Sequence, residues 1–315
     1  MARLSKGRKM DYELAIIGAG PAGYSAGIYA GRSGIKTVIF DKSGGGGLAM
    51  LSPNIENYAG FESISGTELM KKMKQHAGKY VNINFYEEVK NIVRSNNKFN
   101  IKTSEVNYTV GAVLLSTGTV HRKLNVPGEA DLQGKGVSYC ATCDGFFFKG
   151  KKVAVVGGGN SALMDAIFLK QIGCEEVYLI HRRNQLRAEK IYEDEAQEKK
   201  INILFNRIVK EINGEEKVKY LNLKDTTTGE TSKLEVDGVF ISIGETPQNE
   251  LAKQFRVKLD ERGFIVTDEQ QRTNVKGVYA AGDITGGLQQ IITACAEGAI
   301  AALASTEVLG KKYPY

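Results

Sequence analysis

At 315 residues, of which 42% are apolar and 25% charged, the chain is long enough for two domains and has the composition of an ordinary soluble protein. The net charge of +6 is well below a nucleic-acid-binding signature, and no apolar run of the length of a membrane span stands out, so we expect neither partner. The four cysteines, and the lack of an export signal after the basic residues 1–10, predict a reducing, cytoplasmic location.

The first feature along the chain is a glycine-rich turn between a strand and a helix. Residues 14–17 are apolar and predict a strand, and residues 24–33 have a helical pattern. Between them, Gly18, Gly20 and Gly23 have the GxGxxG spacing of dinucleotide-binding turns. The first glycine allows the tight turn, the second lets the backbone approach a pyrophosphate, and the third lets the helix pack on the strand.

An acidic residue follows the first glycine-rich turn at the spacing expected for nucleotide binding. The next predicted strand, residues 37–40, ends at Asp41. An acid about 20 residues after the first glycine can hydrogen-bond a ribose hydroxyl of the nucleotide. A glycine-rich turn that binds no ligand is the alternative, but the flanking strand, helix and acid favour a nucleotide site.

The same order of elements recurs later in the chain. Residues 152–156 predict a strand, residues 157–162 form a second glycine-rich turn, a helix runs to about Gly173, and residues 176–180 predict another strand. One such arrangement can arise by chance, whereas two in the correct context are strong evidence for two nucleotide-binding units. We therefore predict an α/β fold that contains two of them.

Further strands that end in glycine indicate how the two units are connected. An apolar strand ends at residues 116–118, and residues 239–244 and 277–283 follow the second unit with the same pattern. This order is typical of one dinucleotide-binding domain inserted into another. The chain would cross between the domains at residues 119–125 and 244–249.

The second unit has a basic turn where the first has an acid. His181, Arg182 and Arg183 follow the second strand of this unit, and Arg187 lies four residues further on. Guanidinium groups pair with phosphate oxygens, which favours the 2′-phosphate of NADPH over the free ribose hydroxyl of NADH. A solvated basic turn without a ligand remains the alternative.

The cysteines include one closely spaced pair. Cys140 and Cys143 form a CxxC motif that can close a reducible disulfide, and Asp144 follows directly. Half of a zinc site is the alternative, but Cys174 and Cys295 stand alone, without the companions that a zinc site needs, and we expect no metal. Asp144 is either a turn residue or a general acid that protonates the departing thiolate.

These motifs together resemble one family, the low-molecular-weight thioredoxin reductases, from about residue 11 to the C-terminus. The cysteine block is the most specific of the shared segments, because related disulfide reductases carry their redox cysteines in the other domain. The resemblance rests on residues 18–23, 140–145, 157–162, 181–188 and 281–283.

The resemblance implies two Rossmann-like dinucleotide-binding domains. An NADPH-binding domain, residues 120–248, would carry the redox CxxC and be inserted into a discontinuous FAD-binding domain of residues 11–119 and 249–315. Residues 1–10 would be a basic N-terminal extension. The family also implies a homodimer.

The family's cofactor contacts carry over to this chain residue by residue. For FAD, the matching positions are Gly18, Gly20, Pro21, Ala22, Gly23, Asp41, Lys42, Gly47, Leu48, Asn57, Val89, Thr117, Gly118, Gly282, Asp283, Gln290 and Ile291. For NADPH, they are Gly157, Gly159, Asn160, Ser161, Ala162, His181, Arg182, Arg183 and Arg187.

The mechanism implied by the family is a relay of electrons from NADPH through FAD to the Cys140–Cys143 disulfide. In the family, Cys143 faces the flavin, Cys140 attacks the disulfide of thioredoxin or a thioredoxin-like protein, and Asp144 supplies a proton. The inserted domain is then expected to swing about the two crossings of the chain.

Other functions agree with the same motifs. The acceptor could be a peroxiredoxin, a glutaredoxin-like protein or a small disulfide, and the sequence does not separate these from thioredoxin. A non-catalytic redox-sensing flavoprotein is a further alternative, which the basic turn for a nicotinamide nucleotide argues against. A turnover assay separates a sensor from an enzyme.

Overall fold

The computed structural model describes residues 10–52 and 54–312, so most of the predicted basic extension lies outside the described residues. The strands are β1 (Met10–Asp11), β2 (Leu14–Ile17), β3 (Thr37–Asp41), β4 (Asn82–Phe85), β5 (Val89–Ser95), β6 (Lys98–Thr103), β7 (Asn107–Val110), β8 (Ala112–Leu115), β9 (Thr119–His121), β10 (Val137–Ser138), β11 (Lys152–Gly157), β12 (Glu176–Ile180), β13 (Asn202–Leu204), β14 (Arg207–Gly214), β15 (Val218–Asp225), β16 (Thr231–Glu235), β17 (Gly238–Ser242), β18 (Glu245–Pro247) and β19 (Val278–Ala280). The α-helices are α1 (Pro21–Arg32), α2 (Gly66–Ala77), α3 (Ala141–Asp144), α4 (Asn160–Gln171), α5 (Lys190–Glu198), α6 (Glu250–Gln254) and α7 (Ile291–Val308).

The chain forms two compact units. Within the described residues, the first unit contains residues 10–50, 58–120 and 246–312, and the second contains residues 121–245 together with the short segment 51–57. Each unit has its own buried apolar core. The short strands β9 and β18, which pair with each other, lie where the chain passes between the units.

A parallel five-stranded sheet with the order β19-β8-β2-β3-β4 forms the centre of the first unit. Its middle strands are buried along their whole length, which explains their continuous apolar runs. Because the strands are parallel, the carboxyl ends of β2, β3, β8 and β19 lie at one edge, and the strand order reverses beside β2. Ligands of open α/β sheets bind at such an edge. A second sheet, β1-β7-β6-β5, completes the unit.

Helices α1 and α7 pack against each other in the first unit, and glycine is required where they meet. A Cβ atom on Gly298 would lie 2.1 Å from the carbonyl oxygen of Ala22.

Helix α7 is long and apolar enough to cross a membrane, which was not expected from the sequence. Inside the protein, 39% of this segment is buried. A core helix of a soluble protein meets the same criteria.

The second unit repeats the plan with the parallel sheet β10-β17-β11-β12-β13. Helix α4 packs beside β11 and β12, and the antiparallel sheet β14-β15-β16 covers part of the other side. The carboxyl ends of β10, β11, β12 and β17 therefore lie at one edge. The cysteine pair, the second glycine-rich turn and the basic turn all follow these strand ends.

The expected α/β class with two dinucleotide-binding units is confirmed, although some element boundaries differ. The first helix begins at Pro21 rather than at residue 24. Proline is favourable at the first helical position because its fixed φ suits a helix. The N–H that proline lacks would have no partner within the helix at this position in any other residue either. The strand expected over residues 239–244 ends at Ser242.

Candidate active site

Cys140 and Cys143 form a disulfide, with their Cα atoms 5.3 Å apart. Cys140 is the N-cap of the single-turn helix α3, and its Sγ accepts a hydrogen bond from the backbone N–H of Cys143 at 3.2 Å. Thr142 between them is exposed. Hydrogen bonds from backbone N–H groups favour the thiolate form of a cysteine once the pair is reduced.

Asp144 lies at the end of the same helix and is partly withdrawn from water. Its Oδ2 accepts a hydrogen bond from the Ser138 hydroxyl at 2.6 Å. The other carboxyl oxygen, Oδ1, is buried and has no partner among the described residues. Burial raises the pKa of Asp144, and the hydrogen bond from Ser138 offsets part of that rise. Ser138 also accepts from the Cys140 backbone N–H at 3.1 Å, so one hydroxyl connects the carboxyl group to the disulfide segment.

The glycines of the first turn differ in what surrounds them. A Cβ on Gly18, which has a φ of +112°, would lie 2.2 Å from the Ser116 carbonyl oxygen, and one on Gly23 would lie 1.9 Å from the Gly18 carbonyl oxygen. A Cβ on Gly20 would meet nothing within 4 Å. Gly18 and Gly23 are therefore needed for the fold itself, whereas Gly20 leaves open space in front of the N-terminus of α1.

Asp41 shapes this turn through both carboxylate oxygens. Oδ2 accepts from the backbone N–H of Ala19 at 2.8 Å, and Oδ1 accepts from the N–H and the hydroxyl of Ser43 at 2.8 and 2.7 Å. A carboxylate has about four lone-pair sites, so a ribose hydroxyl could still donate to it. The turn before α1 and the end of β3 are thereby held together.

Gln248, which no sequence motif marks, holds the predicted flavin residues that follow β8. Gln248 donates from its side-chain Nε2 to the backbone carbonyl oxygen of Thr117 at 2.6 Å, and the backbone carbonyl oxygen of Gln248 accepts from the Thr117 hydroxyl at 2.7 Å. Its backbone N–H donates to Gly118 at 3.0 Å. Lys42 donates to the Gln248 side-chain oxygen at 2.7 Å, so two predicted contact segments meet at one glutamine.

A half-buried carboxylate organises the turn after β19. Glu297 Oε2, on α7, accepts from the Gly282 backbone N–H at 2.7 Å and from the Thr285 hydroxyl at 3.2 Å. Gly282 has a φ of +81°, and Asp283 begins the short 3-10 helix that follows. Burial raises the pKa of Glu297, although both hydrogen bonds act against that rise. Glu297 thereby fixes the backbone that carries Asp283.

The remaining predicted flavin residues are spread over several elements of the chain. Pro21 and Ala22 lie in the first turn of α1, Gly47 and Leu48 in the 3-10 helix Gly47–Leu51, Asn57 in an exposed bend, Val89 at the start of β5, and Gln290 and Ile291 at the start of α7. Asn57 belongs to the segment that groups with the second unit. Gln290 is the N-cap of α7 and forms a capping box with Thr293.

The second glycine-rich turn has the same division of roles. A Cβ on Gly157 would lie 2.4 Å from the Ser242 carbonyl oxygen, whereas one on Gly159 would meet nothing within 4 Å. Asn160, the first residue of α4, exchanges two hydrogen bonds with Glu189, at 2.6 and 2.9 Å. Of the next two predicted residues, Ser161 is exposed and Ala162 is buried.

The four residues of the predicted basic cluster are not equivalent. Arg182, Arg183 and Arg187 are exposed, as a phosphate site requires. His181 is 5% exposed, and both of its ring nitrogens lie within hydrogen-bonding distance of backbone carbonyl oxygens: Nδ1 is 2.8 Å from that of Gly157, and Nε2 is 3.0 Å from that of Gln185. The imidazole lies beneath the turn while the guanidinium groups face solvent.

Both turns fit a dinucleotide on structural grounds. Each is followed by a helix of 12 residues whose N-cap is a glycine without a side-chain hydrogen bond. Free N–H groups and the helix dipole at such an end favour phosphate. Gly20 and Gly159 leave open the space that a side chain would fill, so a pyrophosphate can approach the backbone there. Within residues 10–52 and 54–312, no group of three potential metal ligands is present.

The comparisons with known proteins agree on one family. The family model of the pyridine nucleotide-disulphide oxidoreductases matches residues 12–298. A thioredoxin reductase of Bacillus subtilis (strain 168) is 42% identical over 294 residues, which are 92% of this chain and 92% of that protein. One of Treponema pallidum (strain Nichols) is 41% identical over 302 residues, which are 95% and 97% of the two chains.

A solved structure agrees with these relatives. The crystal structure of thioredoxin reductase from Streptococcus pyogenes MGAS5005 superimposes with a TM-score of 0.91 at 38% identity, covering 96% of this chain and 99% of the other. The similarity therefore extends over both compact units rather than over one nucleotide-binding turn. The chain belongs to the pyridine nucleotide-disulphide oxidoreductase family and, within it, to the thioredoxin reductases.

Proposed function

We propose that this chain is a thioredoxin-disulfide reductase that uses FAD and NADPH. Membership of the family implies a flavin and a nicotinamide nucleotide. The observation that carries the proposal is the Cys140–Cys143 disulfide, which lies beside the partly buried Asp144 and in the same unit as the second glycine-rich turn. The relatives named thioredoxin reductase indicate thioredoxin as the acceptor.

FAD is assigned to the first unit. The open space at Gly20, the N-terminus of α1 and the carboxylate of Asp41 suit an ADP moiety. The turns that carry Thr117 and Asp283 lie at the same edge of the sheet, because they follow the parallel strands β8 and β19. We propose that the flavin contacts expected from the sequence lie along this edge.

NADPH is assigned to the second unit. Gly159 leaves room for the pyrophosphate at the N-terminus of α4. The exposed side chains of Arg182, Arg183 and Arg187 would pair with the 2′-phosphate, which NADH lacks. This basic turn supports NADPH as the preferred nucleotide.

Reduction of the disulfide requires two electrons and two protons. When bound, the flavin supplies the electron pair that it receives from the nicotinamide. Breaking the S–S bond with this electron pair gives two thiolates. The carboxyl group of Asp144, whose pKa is raised by burial, can protonate one of them, and the other takes its proton from water. The exposed neighbour Thr142 and the position of Cys140 at a helix N-cap leave that cysteine available for exchange with the partner disulfide.

A cytoplasmic location and a homodimer complete the proposal, together with the absence of a nucleic-acid or membrane partner. The reducing cytoplasm is where a dithiol reductase finds reduced nicotinamide nucleotide and keeps its partner reduced. Size-exclusion chromatography with light scattering of the purified chain tests the dimer. A mass of one chain would contradict it.

Turnover with purified bacterial thioredoxin tests the function. We expect NADPH oxidation that depends on thioredoxin and yields free thioredoxin thiols. The variant Cys143→Ser should lose this turnover, while NADPH still bleaches its flavin. Turnover with glutaredoxin or peroxiredoxin, but not with thioredoxin, would identify a different acceptor. Bleaching of the flavin by NADPH, combined with no turnover on any of these disulfide acceptors, would indicate a sensor.

A further inference from the structure

His181 lies between two segments that are both assigned to nucleotide binding. It follows β12 at the carboxyl edge of the sheet, and its ring is 5% exposed. One ring nitrogen is 2.8 Å from the carbonyl oxygen of Gly157 in the glycine-rich turn, and the other is 3.0 Å from that of Gln185 in the basic turn. The imidazole therefore bridges the two segments from the inside of the protein.

A carbonyl oxygen only accepts hydrogen bonds, so each ring nitrogen must donate to satisfy this geometry. A neutral imidazole carries one N–H, and its second nitrogen would direct a lone pair at a carbonyl oxygen. We propose that His181 is held with both ring nitrogens protonated and joins the glycine-rich turn to the basic turn. It acts as a positioning residue and not as a ligand of the nucleotide phosphate. This inference rests on the proposed NADPH site.

The His181 ring also packs against the glycine-rich turn itself. A Cβ on Gly158 would lie 2.1 Å from Nδ1 and 2.3 Å from Cε1 of His181, so the imidazole lies directly against the backbone of the glycine-rich turn. The backbone N–H of Arg187 also donates to the Gly158 carbonyl oxygen at 2.8 Å. The basic turn is thus attached to the glycine-rich turn by the ring and by its own backbone, which fixes the spacing between the pyrophosphate and 2′-phosphate positions.

The charges nearby are compatible with a protonated ring. The side chains of Arg182, Arg183 and Arg187 are exposed, and solvent screens their repulsion of a cation beneath the turn. Hydrogen bonds from a charged donor are stronger than those between neutral groups, which offsets part of the cost of burying the imidazolium. The cation also adds positive potential below the proposed phosphate site.

Nuclear magnetic resonance tests the protonation directly. The chain has three histidines, and His76→Gln and His121→Gln assign the ring signals of the holoenzyme labelled with ¹⁵N-histidine. Near neutral pH, where an exposed histidine is mostly neutral, we expect both ring nitrogens of His181 to carry a proton. A His181 ring with one unprotonated nitrogen would overturn the inference, whatever nucleotide the protein binds.

Two variants test the positioning role. His181→Phe keeps a ring against Gly158 but cannot donate, and Gly158→Ala displaces the ring without changing it. We expect both to raise the KM for NADPH by about tenfold or more, with a smaller change in kcat, and to weaken binding of NADH and of 2′,5′-ADP as well. His76 is an exposed histidine in the first unit. His76→Phe is therefore the matched control and should leave these values unchanged.

The outcomes distinguish a failure of the proposed NADPH site from a failure of the positioning role of His181. If the wild-type protein binds neither NADPH nor 2′,5′-ADP, the proposed nucleotide site is wrong, and the resonance experiment still decides the protonation. If the wild type binds both, and His181→Phe and Gly158→Ala match it, the positioning role is refuted while the NADPH site stands. A loss confined to NADPH, with NADH unchanged, would make His181 a phosphate ligand and also refute the inference.

Discussion

The Ser138 hydroxyl lies 2.6 Å from Oδ2 of Asp144, while the second oxygen of the same carboxyl group, Oδ1, is buried without a partner among the described residues. A carboxyl group with one satisfied and one unsatisfied oxygen favours its protonated form, because burial penalises the charge. The pKa of Asp144 is accordingly raised. The raised pKa lets the carboxyl group of Asp144 keep its proton to higher pH, beside the Cys140–Cys143 disulfide whose departing thiolate needs a proton donor.

Asp144→Asn should therefore lower turnover and raise stability together. We expect kcat with thioredoxin to fall by roughly 10²-fold or more, as for loss of a general acid. Because the folded-state pKa lies above the unfolded value, the wild type is most stable below the unfolded pKa and loses this stability as pH rises through the folded pKa. Thermal unfolding should thus show the variant more stable near neutral pH, with the difference shrinking towards about pH 4. A constant difference at all pH values would contradict this.

Replacement of single glycines should separate the fold from cofactor binding. Gly20→Ala places its Cβ in open space, so the protein should fold with a near-wild-type Tm but retain less FAD. Gly18→Ala combines a φ of +112° with a clash against Ser116 and should destabilise the first unit by about 1–3 kcal/mol. The FAD content of purified protein and thermal unfolding measure both effects. Full FAD retention in Gly20→Ala would contradict the proposal that the pyrophosphate of FAD binds at this turn.

The exposed arginines should determine the nucleotide preference. Arg182→Ala combined with Arg183→Ala removes charge-assisted hydrogen bonds worth about 1.5–3 kcal/mol each. The KM for NADPH should rise accordingly, while the KM for NADH changes little. Steady-state kinetics with both nucleotides provides the comparison. Equal losses for the two would indicate misfolding instead of a lost phosphate contact.

Glu297 should control retention of the flavin without contacting the disulfide. Glu297→Ala leaves the Gly282 N–H without its acceptor, at a cost of about 1–3 kcal/mol, and loosens the turn that carries Asp283. Glu297→Gln keeps an acceptor oxygen and should retain most FAD. Release of flavin fluorescence on heating compares the two variants. Identical release from Ala, Gln and wild type would exclude this role.

The sequence was most informative where a residue type is required by its own backbone. Gly18 and Gly23 are needed because any side chain there meets a carbonyl oxygen within 2.2 Å, and this local requirement creates the recognisable spacing. The cysteine spacing and the runs of buried strands are likewise local features. For this reason the two-unit α/β fold and the disulfide could be predicted.

Residues that act across long chain separations could not be predicted in this way. Gln248 bonds to Thr117 over 131 positions, and Glu297 bonds to Gly282 over 15, and neither lies in a motif with a fixed spacing. Ser138 sits close to the cysteines, but a lone serine in a short strand carries no sequence signal. His181 was expected to contact the nucleotide, and only the folded structure, through its burial and its contacts with Gly157 and Gln185, indicates a role beneath the turn.

An anaerobic titration of the purified flavoprotein with NADPH tests the central claim most directly. Bleaching of the flavin and the appearance of free thiols are followed together as equivalents are added. The relay predicts about two equivalents, because the flavin and the Cys140–Cys143 disulfide each take two electrons. Saturation at about one equivalent, with the disulfide still intact, would show that the disulfide is not connected to the flavin and would contradict the account.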